Sequence, residues 1–187
     1  MKNPRAPIRL THEDYLAFPD DGRRHELIDG EHVVTPSPTR RHQQVFGRLF
    51  LALGTYLQQN PAGELYAAPL DVILSEHDVV QPDILFVSKE RSAVLGTWVH
   101  GAPDLAVEIV SPSTRRLDEM AKRRVYERSG VTEFWVIDPE IEIVRIYRQA
   151  GAGGFDRPLE LRPEDRQLLE SALFPGFSLT LDDLFAD

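Results

Sequence analysis

The sequence contains no cysteine. Disulfide bonds and thiolate metal sites are therefore excluded. No uninterrupted apolar run approaches the roughly 20 residues that cross a bilayer. The chain starts Met-Lys-Asn-Pro-Arg-Ala-Pro, which lacks the apolar stretch of a signal peptide. These absences favour a cytoplasmic protein without membrane contact.

Positive charge is scarce in this sequence, and lysine is scarcer still. The 187 residues carry 21 Lys and Arg against 30 Asp and Glu, which gives a net charge of −9. This balance argues against strong, non-specific DNA binding. Local basic groups at residues 40–48 and 113–129 remain compatible with a nucleic-acid groove, although charge alone favours solvated helix faces. The lysines are only Lys2, Lys89 and Lys122.

Turn signals and apolar periodicity predict a mixed order of helices and strands. Thr11 is a good N-cap for a short helix, and Asp29-Gly30 predicts the turn of a hairpin over 24–34. Apolar residues at helical spacing predict a helix over 40–58. Further strands are predicted at 64–67, 70–74, 83–87, 104–110, 133–138 and 143–148, a helix at 116–129 capped by Gly130, a loop with some helix at 88–101, and a C-terminal edge strand and short helix. This order predicts an α/β (α+β) fold with a mixed sheet flanked by helices.

Two acids lie in runs that otherwise read as buried strands, Asp83 and Glu108. Burying a carboxylate is costly unless a metal, a cation or hydrogen bonds compensate it. Neighbouring strands lie about 4.8 Å apart, so paired strands would bring both acids to one ion. Mg²⁺ or Mn²⁺ would accept these oxygen ligands. The alternatives are backbone N–H partners for Asp83 and an arginine partner for Glu108.

Lys122 stands on the predicted helix in a row with Asp118 and Tyr126. The spacing i, i+4, i+8 places this row beside the apolar face, so Lys122 flanks buried surface. A lysine there could hold a phosphate or orient an attacking water. Spacing alone favours an ordinary ion pair with Asp118, worth about 0.3–0.5 kcal/mol. The scarcity of lysine in this chain favours a functional role.

Six stretches of the sequence carry a resemblance that keeps its order along nearly the whole chain. They are Glu-Leu-Ile-Asp-Gly-Glu at 26–31, Val-Gln-Pro-Asp at 80–83, Asp-Leu-Ala-Val-Glu-Ile-Val-Ser-Pro-Ser at 104–113, Asp-x-x-x-Lys-x-x-x-Tyr at 118–126, Gly-Val-x-Glu-Phe-Trp-Val-Ile-Asp at 130–138, and Phe-Pro-Gly at 174–176. The pattern resembles the Uma-type endonucleases of the PD-(D/E)XK superfamily. One departure from the superfamily consensus is Val110, which stands where a lysine is expected, and Lys122 takes that role in the Uma-type pattern.

The resemblance implies a restriction-endonuclease-like fold and hydrolysis of DNA phosphodiester bonds with Mg²⁺ (or Mn²⁺). It implies a single domain over 1–187, with a helix and hairpin extension at 1–38, a catalytic core at 39–148 and a C-terminal strand and helix at 149–187. Its implied metal ligands are Asp83, Glu108 and the Ile109 carbonyl. Lys122 is then the cation that contacts phosphate or water, and Glu26 is an acid near the same site.

The remaining implied residues are less closely tied to the chemistry. His42, Tyr126 and Arg115 are assigned to substrate binding. Glu26 could instead be a surface residue opposite Val33 in the hairpin. DNA is the expected partner, with a homodimer as a further expectation. Two other functions stay open, a catalytically silent module that binds nucleic acid or protein on the same fold and an enzyme for smaller phosphodiesters.

Overall fold

The computed structural model describes residues 8–111, 117–151 and 154–186. Its helices are α1 His12–Tyr15, α2 Arg40–Gln59, α3 Arg123–Ser129 and α4 Leu181–Phe185, with a π-helical turn Leu117–Lys122 before α3 and 3₁₀ turns Lys89–Val94 and Pro163–Asp165. Its strands are β1 Arg24–Ile28, β2 Glu31–Thr35, β3 Gly63–Ala67, β4 Val72–Ser75, β5 Asp78–Val80, β6 Ile84–Ser88, β7 Val99–His100, β8 Leu105–Ile109, β9 Glu133–Asp138, β10 Ile143–Arg148, β11 Leu159–Leu161, β12 Leu168–Leu169 and β13 Leu179–Thr180.

The central sheet has six strands in the order β11-β10-β9-β8-β6-β3. Only β8 and β9 run parallel, and the other neighbours are antiparallel, so the predicted mixed sheet is confirmed. In the β6–β8 ladder, Ile84 lies opposite Val107. Continuing that register by one residue brings Asp83 next to Glu108. The strand pairing on which the two-acid hypothesis depended is therefore present.

A second sheet of five strands contains the N-terminal hairpin, in the order β2-β1-β5-β4-β7. The hairpin joins this sheet through Leu27, which lies opposite Val79. The Asp29-Gly30 turn is confirmed, with φ of 54° and 80° at its two residues. Both angles lie in the left-handed region that two-residue hairpin turns require.

Apolar side chains cover both faces of the central sheet. On one face, α2 and α4 pack against Val107, Ile109 and their neighbours. On the other face, α3 and the second sheet pack against Ala106 and Val110. Because side chains alternate along a strand, Glu108 faces this second side, as the pattern of β8 predicts. The acid is therefore enclosed by α3 and by the hairpin sheet.

The main differences from the predicted elements lie in short or distorted segments. Strands β5, β7, β11 and β12 were not predicted, because two or three residues carry no readable period. The predicted helix 116–129 is a π-helical turn followed by α3, and Arg116 lies outside the described residues. Gly130 is its left-handed C-cap with φ 81°, as predicted. Across the described ranges, no helix has the length and apolar character needed to cross a membrane.

Candidate active site

Asp83 lies directly before β6, and its buried carboxylate accepts three hydrogen bonds. The Ile109 N–H donates to Oδ2 at 2.8 Å, and the His42 Nε2 lies 3.1 Å from the same oxygen. Arg24 Nη1 donates to Oδ1 at 2.9 Å. Burial by itself raises the pKa of Asp83, but His42, Arg24 and the Ile109 N–H outweigh it and lower that pKa to about 2. Asp83 is therefore ionised at neutral pH.

Lys122 ends the π-helical turn and is almost fully enclosed, with 1% of its side chain exposed. Its Nζ lies 3.0 Å from Glu108 Oε1 and 2.9 Å from Glu26 Oε1. Tyr126, one turn along on α3, donates from its hydroxyl to Glu108 Oε1 at 2.7 Å. The predicted alignment of Lys122 with Tyr126 is thus present. The side chain of Asp118 lies outside the described residues.

Glu26 lies on β1 and points inward. It stands opposite Val33, as predicted, yet its side chain is fully buried rather than on the surface. The backbone N–H of Gln81 donates to Glu26 Oε1 at 2.8 Å, the same oxygen that faces Lys122. The second sheet therefore contributes an acid to the group formed by the central sheet and α3.

A cavity of about 30 Å³ lies among these residues. Its lining includes Asp83, Glu108, Ile109, Lys122 and His42. It adjoins a groove of about 840 Å³, and the two share five lining residues, Arg24, Thr35, Pro36, Ser37 and Pro38. A cavity of this size holds one or two water-sized groups. The site is therefore a small polar chamber at the end of an open groove.

The donor set around the cavity fits a hard divalent cation. Within the described ranges, no group of three or more His, Asp or Glu side chains has metal-binding geometry. Two carboxylates and a backbone carbonyl are nevertheless sufficient for Mg²⁺, which keeps several waters and takes further oxygens from substrate phosphate. Asp83, Glu108 and Ile109, the residues that carry these groups, all line the cavity.

His42 lies in the first turn of α2 and is buried. A carboxylate only accepts hydrogen bonds, so His42 Nε2 must donate to Asp83. Its buried Nδ1 has no partner among the described residues. The geometry places His42 against a candidate metal ligand, whereas the sequence assigned it to substrate binding.

Arg24 is the site residue that sequence reasoning missed. It lies two residues before Glu26 on β1, so the two side chains share one face of the strand. That alternation was the available signal, but the partner of Arg24 is 59 residues away in the chain. Arg115, which the sequence assigned to substrate binding, lies outside the described residues.

The basic group at the start of α2 has mixed roles. Arg41 donates to the carbonyl of Phe185 at 2.6 Å and to that of Ala186 at 2.8 Å. Arg48 also donates to the Ala186 carbonyl. These arginines therefore hold the C-terminal helix α4, while only His42 of this group reaches the cavity.

The comparisons with known proteins agree with this architecture. The family model Uma2, described as "Putative restriction endonuclease", matches residues 12–182. The chain belongs to the Uma2 family. An uncharacterized protein of Synechocystis sp. (strain PCC 6803) is 24% identical, and the match covers 98% of this chain and 95% of that protein. A crystal structure of a protein from Anabaena variabilis, described as a putative nuclease belonging to DUF820, superposes with a TM-score of 0.81 at 20% identity, and the match covers 96% of this chain and 98% of that one. That likeness shows that the two chains share the same mixed α+β fold.

Proposed function

We propose that this protein is a metal-dependent endonuclease that hydrolyses phosphodiester bonds of DNA, with Mg²⁺ or Mn²⁺ as the cofactor. The observation that carries the proposal is the cavity of about 30 Å³ on which Asp83, Glu108, Ile109 and Lys122 converge. Membership of a family described as "Putative restriction endonuclease" supports the same class of reaction. An adjoining open groove gives a chain substrate access to the chamber.

Each residue has a specific part in this proposal. Asp83 and Glu108, together with the Ile109 carbonyl, are the groups that would hold the cation. When bound, the cation stabilises charge on the phosphate and lowers the pKa of water. Lys122, fixed between Glu108 and Glu26, directs a positive charge at the scissile phosphate or orients the attacking water. Tyr126 and Glu26 keep Glu108 and Lys122 in place.

Cleavage of supercoiled plasmid DNA with Mg²⁺ or Mn²⁺ tests the proposal. Wild type should nick or linearise the plasmid, and Asp83→Ala, Glu108→Ala and Lys122→Ala should each reduce the rate by about 10²-fold or more, the size of one electrostatic contribution to catalysis. Lys89→Ala is the matched control, since Lys89 is exposed and away from the cavity. Cleavage that survives in all three site variants would overturn the assignment.

One observation favours the second function, a silent binding module. Cationic or hydrogen-bonding groups of the chain itself already face the three buried acids of the site. Arg24 and His42 contact Asp83, and Lys122 contacts both Glu26 and Glu108. Such a site is compensated without a metal. The binding-module hypothesis predicts that wild type binds DNA or a protein partner without metal-dependent cleavage. The endonuclease hypothesis predicts cleavage of DNA that the site variants abolish.

A further inference from the structure

Arg24 lies where the cavity opens into the groove. It lines both spaces, and its guanidinium reaches Asp83 Oδ1 at 2.9 Å. A quarter of its side chain (25%) is exposed, compared with 1% for Lys122. Arg24 is therefore the cation of the site that can move into the groove, whereas Lys122 is enclosed.

The ion pair between Arg24 and Asp83 occupies an oxygen that the proposed metal site needs. A divalent cation on Oδ1 would lie close to the guanidinium, and like charges at that separation repel strongly. The Ile109 N–H is fixed by the β8 backbone, and His42 is held in the buried face of α2. Of the three partners of Asp83, Arg24 is the one free to leave.

A displaced Arg24 needs a new anion. Among the described residues, its guanidinium has no hydrogen-bond or ion-pair partner besides Asp83. Glu26 and Glu108 already face Lys122. The acid in the groove lining, Asp20, is exposed, and exposed pairs contribute little. A phosphate matches the fork of donors on a guanidinium and forms stronger, two-pronged hydrogen bonds.

We propose that Arg24 is a substrate-binding residue for the phosphate backbone, held on Asp83 until a divalent cation displaces it. This inference rests on the proposed function. The substrate segment that it contacts is a single nucleic-acid strand lying in the groove of about 840 Å³. Metal binding and strand binding are thereby coupled, because the cation that occupies Asp83 releases the guanidinium for the phosphate.

The first test compares Arg24→Gln with Arg23→Gln, its neighbour in the groove lining, whose side chain is 70% exposed. Calorimetric titration with Mn²⁺ should show about tenfold tighter binding to Arg24→Gln, a typical coupling between two sites. Binding of a labelled single-stranded oligonucleotide in Ca²⁺ should weaken by about tenfold in the same variant. Arg23→Gln should change the Mn²⁺ affinity little. The two affinities should change in opposite directions in Arg24→Gln. If Arg24 had only a structural role, its loss would weaken the binding of both Mn²⁺ and the oligonucleotide.

The second test releases Arg24 without any metal. In EDTA, Asp83→Asn should bind the oligonucleotide more tightly than wild type, since its neutral side chain no longer holds the guanidinium. The gain should disappear in Arg24→Gln/Asp83→Asn and persist in Arg23→Gln/Asp83→Asn. Thermal unfolding of every variant establishes that the proteins compared are folded.

Three results would contradict the inference or a part of it. If Arg24→Gln binds Mn²⁺ and the oligonucleotide as wild type does, while wild type still cleaves DNA with metal, the role of Arg24 is wrong and the endonuclease stands. If wild type binds no strand in a metal-dependent way and cleaves nothing, both proposals fall together. A duplex serves as the comparison substrate, and tighter binding of duplex than of single strand would contradict the single-strand assignment.

Discussion

Lys122 is the residue on which two buried carboxylates depend. Its ammonium nitrogen lies within 3.0 Å of both Glu26 and Glu108, and neither acid has appreciable exposure. A hydrophobic substitution would leave both buried acids without the positive charge of Lys122. Breaking a buried pair by removing one partner typically costs about 3–5 kcal/mol.

Lys122→Met should therefore lower the free energy of unfolding by about 3 kcal/mol, measured by urea denaturation without metal. Lys89→Met, at an exposed lysine, should leave stability within about 0.5 kcal/mol of wild type. The combined variant Lys122→Met/Glu26→Gln should recover part of the loss, because one of the two acids is then neutral. Equal stability of Lys122→Met and wild type would show that the acids are compensated in another way.

The depressed pKa of Asp83, about 2, makes stability depend on acidity. Since the folded-state pKa lies below the ordinary value near 3.9, this carboxylate stabilises the fold above about pH 4, and that contribution is lost as the pH falls towards 2. The stability difference between wild type and Asp83→Asn in EDTA should shrink by about 2 kcal/mol over that range. Asp20→Asn, at an exposed acid, is the control. A difference independent of pH would contradict the stabilisation of the Asp83 carboxylate by His42, Arg24 and the Ile109 N–H.

Individual site residues could be identified from the sequence where a charged side chain lies in an otherwise apolar segment or belongs to a residue type that is rare in this chain. Asp83 and Glu108 were recognisable as acids in apolar strands, and Lys122 as a rare lysine on a helix. The contacts that these three side chains make could not be predicted from the sequence. Arg24 reaches Asp83 across 59 residues, and such pairings depend on how the sheets come together.

The hairpin β1–β2 is the element that carries Arg24 and Glu26 to the site. Its turn depends on Gly30, whose φ is 80°. A Cβ built on Gly30 would lie 2.7 Å from the Cβ of Arg9 and 3.0 Å from its Cα. The turn therefore requires glycine both for its backbone conformation and for space.

Gly30→Ala should destabilise the protein by about 2 kcal/mol or more, since the left-handed conformation alone costs about 1–2 kcal/mol in a non-glycine residue. Gly22→Ala is the matched control, because its φ is 76° but no atom lies within 4 Å of the added Cβ. The two free energies of unfolding, measured by guanidinium denaturation, isolate the cost of the contact with Arg9. Equal costs would show that the chain around Arg9 relaxes freely.

Elements with strong local signals were predicted well. The bounds of β9 and β10 are those predicted, and the helix over 40–58 is α2. The π-helical turn Leu117–Lys122 was not predicted, because the apolar spacing of a single turn does not distinguish it from an α-helix. That turn positions Lys122 towards the two glutamates, so a local irregularity of the helix contributes to the site.

At the scale of the whole molecule, α2 and α4 cover the face of the central sheet opposite to Glu108. Phe185 of α4 is buried, with 4% exposed, and its carbonyl accepts from Arg41. The two helices are far apart in sequence, since α2 lies in the first third of the chain and α4 near its C-terminus. It stabilises the sheet from the side that carries no candidate site residue other than His42.

Phe185→Ala should lower the free energy of unfolding by about 3–5 kcal/mol, which is the usual cost of truncating a buried phenylalanine to alanine. Its affinity for Mn²⁺ should stay at the wild-type value as long as the protein is folded. Leu51→Ala, at a leucine that is 70% exposed, is the control for loss of an apolar side chain. A metal affinity that falls together with stability would show that the site and this face are coupled.

The sequence patterns did not predict that the strands form two separate sheets. The hairpin was predicted, but its pairing with β5 runs through three residues with no period of their own. The fold class and the mixed central sheet followed from the order of elements. The homodimer stays a prediction.

The most direct test of the central claim is calorimetric titration of Mn²⁺ into wild type and into Asp83→Ala/Glu108→Ala, with and without DNA. The account predicts one Mn²⁺ per chain in wild type and none in the double variant. Undiminished binding in the double variant, or no binding in wild type even with DNA present, would contradict a metal site formed by these two carboxylates.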